Sequence, residues 1–299
     1  MTILETETGD VNVMTTRLVE EVINALGLSK TGFACRNFGW MFRPIARRLA
    51  VMLVPIDQDL GKYGSQVAAR NFLPPFVNET KARGAESIPT SGPIIVASNH
   101  PGAYDSMALV SQIPRPDATF IISDIPLIKF LPNARKHAYF ATGDSNTRTN
   151  AVRETIRLLE GGGCLVIFAT GLIDPDPEVW GQEAASRELE GWSPSLELFM
   201  KKVPETKLIV AITSGVLDSA WAKSRLIRVA KPGLERRRLA EFGQVISQLL
   251  RPGRKKYNPH ISFAPPVTLD DLGHGRGEAM PKIIARARAL LAQHMAHDW

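Results

Sequence analysis

The chain has 299 residues, 44% of them hydrophobic, with 36 Lys and Arg against 30 Asp and Glu. That length fits one large α/β domain, or one domain with a modest extension, over a sizeable core. The basic balance (pI near 9.4) favours anionic partners such as a membrane surface, nucleic acid, a phosphorylated metabolite or an acidic carrier protein, while two cysteines, Cys35 and Cys164, exclude a cysteine metal cluster and a disulfide framework.

The start "MTILETETGD" is acidic and has no apolar signal-peptide region, and no apolar run reaches the ~20 residues of a membrane span. A reducing cytoplasm is the expected compartment, at the inner face of the cell membrane, with a soluble or peripheral chain. "TTRLVEEVINALGL" spaces Leu18, Val22, Ile23 and Leu26 at helical intervals. Next, "RNFGWMFRPIARRLAVMLV" mixes Phe38, Trp40, Met41 and Phe42 with Arg36, Arg43, Arg47 and Arg48. Two readings stand for this helix: it lies in a membrane interface, or it packs on the main domain with its arginines solvated.

After the linker-like "NFLPPFVNET", short apolar runs alternate with helical patterns. "GPIIVAS", "ATFIIS", "HAYFAT", "CLVIFAT", "KLIVAITSG" and "HISFA" read as strands. "DSMALVSQ", the segment from Asn150, "SPSLELFMKK", "LERRRLAEFGQVISQLL" and "PKIIARARALLAQHM" read as helices. The glycines at 161–163 stop a helix; they follow one and precede a strand, the reverse of a phosphate loop. "IDPDPE" reads as turns rather than a metal site, and "RPGRKK" as a solvated loop, so neither metal nor nucleic acid is expected. The fold class is α/β: a mostly parallel sheet flanked by helices, with a helical N-terminal extension over residues 1–80 and the α/β domain over 81–299.

In such sheets, ligands sit outside the carboxyl ends of the strands. Asn99 and His100 fall there after "GPIIVAS", and Phe168 to Gly171 after "CLVI". On a continuous helix, His100 and Asp105 are about 140° apart in rotation. The intervening "PGAY" favours a turn, which lets the imidazole meet the carboxylate. A base with an orienting carboxylate and no Gly-x-Ser-x-Gly nucleophile elbow suits direct attack by a substrate hydroxyl on an activated acyl group.

"NHPGAYD", then "IPLIKFLPNARKHAYFAT", a helix, and "CLVIFATG" resemble, in order, the motifs of the glycerolipid acyltransferases with the N-H-x-x-x-x-D signature. The resemblance spans about residues 85–270. It implies an acyl-thioester-dependent O-acyltransferase with His100 as general base and Asp105 as its partner. The cosubstrate would be acyl-CoA or acyl-carrier protein, with no other cofactor, and the acceptor a lipid hydroxyl, foremost 1-acylglycerol-3-phosphate. Asn99, Arg148, Arg153, Phe168, Thr170 and Gly171 are the expected substrate-binding residues. The chain departs from the family at the F-P-E-G block, which reads Phe168-Ala169-Thr170-Gly171, so Thr170 replaces the acceptor-binding glutamate. Asp174 or Asp176 is a candidate to take that role. The family's arginine falls near Thr142, its lysine near Ser123 or Asp124, and its proline after "KLIV" is Ala211. A non-phosphorylated acceptor, hydrolysis of a thioester, and a non-catalytic lipid-binding role therefore remain as alternatives.

Overall fold

The computed structural model describes residues 11–25, 33–102, 104–123, 126–141, 145–225, 227, 231–251, 253–275 and 277–299. Leu26, Asp124 and Thr142, and the side chains of Val22, Cys35, Arg36 and Phe38, lie outside the described residues.

Seven strands form one sheet: β1 (Lys81–Arg83), β2 (Ile94–Ser98), β3 (Thr119–Ile122), β4 (Ala138–Phe140), β5 (Cys164–Phe168), β6 (Lys207–Ser214) and β7 (His260–Phe263). Their order is β1-β7-β6-β2-β5-β3-β4. All pairings are parallel except β6 with β7, which is antiparallel. The central strands are apolar on both faces, as a doubly covered sheet requires. Ile95, Ala97, Leu165 and Ile167 pack on one side against Leu159, Phe199 and Ile283. Ile94, Val96 and Val166 pack on the other against Leu109, Ile113 and Leu249.

The chain leaving β2 enters the helix Asp105–Ser111 on the second face, while the chain leaving β5 runs to the helix Ser195–Lys202 on the first. Neighbouring strands whose connections diverge open a crevice at their carboxyl ends. Ser98 and Phe168 sit opposite each other at that crevice, in register.

Three details differ from the sequence reading. The helix after β4 starts at Ser145, five residues before Asn150. β1, three residues with no apolar pattern, pairs at the edge with β7. β7 opposes β6 in direction, so β1 and β7 close one edge against the parallel majority. The glycines at 161–163 do end a helix: Gly162 N–H reaches Leu159 O and Gly163 N–H reaches Leu158 O, both at 2.8 Å.

The N-terminal helices Val11–Ala25 and Phe33–Tyr63 pack through Met14, Leu18 and Ile23 against Ala46, Ala50 and Val54. The second helix also locks to the α/β part. Its buried Asp57 accepts the backbone N–H groups of Asn133 (3.1 Å) and Ala134 (2.7 Å), capping the short helix Pro132–Lys136 from outside. The packing reading of this helix holds for one of its faces. Ala46, Ala50 and Val54 pack inward, while Trp40 (71% exposed), Arg43, Arg47 and Val51 face outward at helical spacing. Among the described residues, no helix is long and apolar enough to cross a membrane.

Candidate active site

His100 lies two residues beyond β2, in the turn before the helix Asp105–Ser111. Gly102 makes that turn possible. Its φ is +94°, a left-handed conformation that L side chains avoid, and an added Cβ would sit 2.9 Å from the Glu241 carboxyl carbon. The turn folds back so that Asp105 Oδ2 accepts from both Gly102 N–H (2.9 Å) and His100 Nδ1 (2.7 Å). Asp105 is fully buried at the first turn of its helix, where a carboxylate is also favoured by the helix dipole.

With Nδ1 turned to Asp105, Nε2 is the ring nitrogen left to meet a substrate, and the His100 side chain is 27% exposed. Phe168, at the end of β5, stacks on the imidazole with ring centres 4.1 Å apart and planes 18° apart. That contact fixes the ring's plane, as the Asp105 bond fixes its tautomer. Burial pulls the histidine's pKa down. The charge and hydrogen bond of Asp105, with the charges of Glu241 and Asp174, outweigh burial and leave it raised above 6.5.

The backbone around His100 is tied to the neighbouring strand exits. Asn99, 3% exposed, pairs with the Thr213 backbone through Oδ1 (2.8 Å from its N–H) and Nδ2 (2.9 Å from its carbonyl). It therefore holds β2 to β6 and does not face the crevice as a substrate ligand. On the β5 side, His100 N–H donates to Asp174 Oδ2 (2.8 Å), and Asp174 N–H donates to His100 O (2.7 Å). The Thr170 hydroxyl donates to Asp174 Oδ1 (3.0 Å) and accepts Leu172 N–H (3.2 Å). Gly171, at φ +68°, closes this turn.

Asp174, Asp176 and Glu178 form one structural device. Asp176 is fully buried and accepts the N–H groups of Glu178, Gly215, Val216 and Leu217 at 3.0–3.1 Å. Glu178 Oε1 accepts from Ser214 Oγ (2.5 Å) and lies 2.6 Å from His260 Nδ1. The segment leaving β5 thus crosses the sheet edge and fastens in turn to the exits of β2 and β6 and the start of β7. Burial raises the pKa of both Asp174 and Asp176 to about 6, against the hydrogen bonds they accept. Neither carboxylate stands free to replace the glutamate missing at Thr170. Both hold backbone.

Of the sequence-predicted residues, His100, Asp105, Phe168, Thr170 and Gly171 meet around the crevice between β2 and β5. Arg148 and Arg153 do not join them. Both are exposed on the helix Ser145–Glu160, and among the described residues neither hydrogen bonds to the dyad. Glu241, from the distant helix Leu234–Leu250, was not anticipated at this site; nothing local in its sequence marks it.

Residues 79–190 match the family model described as Acyltransferase. A search of the curated proteins returned no match. Among solved structures, the chain is similar to the 1-acyl-sn-glycerophosphate (LPA) acyltransferase PlsC from Thermotoga maritima. The identity is 14% over 96% of this chain and 98% of that one, with a TM-score of 0.49.

Proposed function

From the match of residues 79–190 to the Acyltransferase family model, we propose that the chain moves a fatty acyl group from acyl-CoA or acyl-carrier protein to a lipid hydroxyl, most favourably that of 1-acylglycerol-3-phosphate. The observation that carries the reading is the 2.7 Å contact between His100 Nδ1 and Asp105 at the mouth of the β2–β5 crevice. His100 Nε2 takes the proton of the acceptor hydroxyl as its oxygen attacks the thioester carbonyl. Asp105 stabilises the imidazolium that forms. The tetrahedral intermediate collapses, the C–S bond breaks, and the imidazolium returns its proton to the departing thiolate. No covalent acyl-enzyme is required.

The reading places the enzyme at the cytoplasmic face of the cell membrane. The outward face of the helix Phe33–Tyr63 supports this, since Trp40 and Val51 alternate with Arg43 and Arg47 as in helices that lie in a bilayer interface.

A second acceptor class has its own support. Thr170 stands where the resembled family has its glutamate, and Arg148 and Arg153 face solvent. A phosphate is held strongly only by placed guanidinium or ammonium groups. An acceptor gripped by apolar contacts, such as a glycolipid or isoprenoid alcohol, needs no such groups.

Radiolabelled acyl-CoA offered with glycerol-3-phosphate, 1-acylglycerol-3-phosphate and a neutral lipid alcohol decides the matter, with products resolved by chromatography. Fastest labelling of 1-acylglycerol-3-phosphate supports the main reading. Fastest labelling of the neutral alcohol moves the assignment to the second. Release of free labelled fatty acid alone, with no acylated lipid, would refute both.

A further inference from the structure

The helix Leu234–Leu250 buries two glutamines beside Ala240 and Leu249 and leaves three large apolar side chains outside. Of its residues, Gln244 is fully buried and Gln248 is 5% exposed, while Phe242 is 62%, Leu250 48% and Leu239 37% exposed. An ordinary surface helix does the reverse.

Its rotation is fixed by what the glutamines hold. Gln244 Oε1 accepts Asp218 N–H (2.6 Å) and its Nε2 donates to Val216 O (2.7 Å). Gln248 Nε2 donates to Lys255 O (3.2 Å). Gly243 sits against the Trp221 ring, where an added Cβ would come within 2.6 Å. Rolling the helix to hide Phe242 would leave these buried backbone groups without partners, at a cost of about 1–3 kcal/mol each. The apolar ridge Leu239, Phe242, Leu250 is therefore held outward by the fold.

The ridge joins two places already described. At its C-terminal end, Arg48 Nη1 donates to the carbonyls of Leu249 (2.9 Å) and Leu250 (2.6 Å). Arg48 belongs to the same exposed stripe as Trp40, Arg47 and Val51. Nearer its N-terminal end, Glu241, next to Phe242, lies against Gly102 in the turn between His100 and Asp105.

We propose that the outer face of the helix Leu234–Leu250 is a second lipid-contact surface, which with the helix Phe33–Tyr63 seats the mouth of the His100 crevice on an anionic bilayer. The inference rests on the bilayer-bound reading above and adds the element that brings the acceptor's source to the dyad. Charge selects the occupant. Among the described residues, no carboxylate pairs with the exposed Arg43 or Arg47. A second copy of this chain, docking this patch on itself, would oppose arginine to arginine. An anionic lipid surface neutralises them while the apolar ridge enters the headgroup boundary.

The test is co-sedimentation of the full chain with phosphatidylglycerol–phosphatidylcholine vesicles. The double variant Phe242→Ser with Leu250→Ser is compared with wild type and with Trp40→Ser. Both ridge residues are exposed, so an unchanged thermal midpoint is expected. Vesicle partition of the double variant is expected to fall about tenfold or more, and that of Trp40→Ser to fall as well. Wild-type partition by the double variant, with a loss only in Trp40→Ser, would confine lipid contact to the first helix and overturn the proposal. So would a wild-type dimer that the double variant converts to monomer with partition unchanged. Partition needs no turnover, so failure of acyl transfer and failure of this surface read out separately.

Discussion

The His100 main chain and Asp174 hold each other in both directions: His100 N–H donates to the Asp174 carboxylate at 2.8 Å, and Asp174 N–H donates to the His100 carbonyl at 2.7 Å. The contact bridges two strand exits that are 74 residues apart in sequence. It leaves the histidine's main chain little freedom, so its ring depends only on Asp105 and Phe168 for aim.

Asp174→Ala is expected to lower kcat by about 10²-fold with little change in KM. A base displaced by an ångström loses alignment, while the substrate still binds. Asp174→Asn, which keeps the shape, should recover part of the loss. Steady-state kinetics on the three proteins check this; a purely raised KM would show that Asp174 serves binding.

For the dyad, His100→Ala should reduce turnover on the order of 10²–10⁴-fold. The base works only as neutral imidazole, and its pKa is raised, so kcat/KM in wild type should fall on acidification with an apparent pKa above 6.5. Removing the anion in Asp105→Asn should lower the rate and move that acid limb to lower pH. A limb that stays in place would mean that His100 does not report it.

Asp174 and Asp176 carry the opposite pH signature in stability. Their folded pKa values of about 6 lie above the ordinary carboxylate value of 3.8, so the native state binds more protons between these two pH values. Stability from these groups is therefore greatest below about pH 4, falls as pH rises, and reaches its lower level above about pH 6. Asp174→Asn has no such titration. Its urea stability relative to wild type should improve by up to about 3 kcal/mol between pH 4 and pH 7. A gap constant with pH would contradict the burial assigned to Asp174.

Asp176→Ala strands four backbone N–H groups, three at the exit of β6 and that of Glu178 in the short helix Pro177–Trp180. A loss of about 3–5 kcal/mol is expected at pH 7, read as a lowered denaturant midpoint. A loss below about 1 kcal/mol would show that these groups find other partners.

On the membrane face, Arg43→Gln with Arg47→Gln should weaken binding to anionic vesicles at low salt, by about fivefold per arginine. It should also flatten the decline in binding as salt rises, because the lost attraction is the screened part. Equal salt slopes for variant and wild type would remove these arginines from the interface.

Much of this was legible in the chain. The strands "GPIIVAS" and "CLVIFAT" announce themselves by unbroken apolar runs, and "NHPGAYD" places its base and acid by local turn chemistry alone. β1 was not legible, because "KAR" pairs through its backbone with a strand 179 residues away at Lys81 and His260. The direction of β7 was hidden for the same reason: "HISFA" carries no mark of parallel or antiparallel pairing. Asn99 looked like a ligand beside the base, yet its amide closes on Thr213, 114 residues on. The helix with Phe242 outward misleads a reading by polarity, since its buried glutamines serve backbone groups in the loops on either side of it.

The segment Ile173–Glu178 has a consequence for how this chain can vary. Asp174 and Asp176 each precede a proline, which biases both toward extended backbone, and residues two apart then share a side. The two acids therefore mesh with the sheet edge like teeth cut to one pitch. Side chains here can be traded with graded losses, but length cannot. One residue inserted between Asp174 and Asp176 would turn the second tooth away from its socket and carry Glu178 off Ser214 and His260. Natural variants of this fold that keep the Asp-Pro-Asp-Pro run are accordingly expected to keep its spacing.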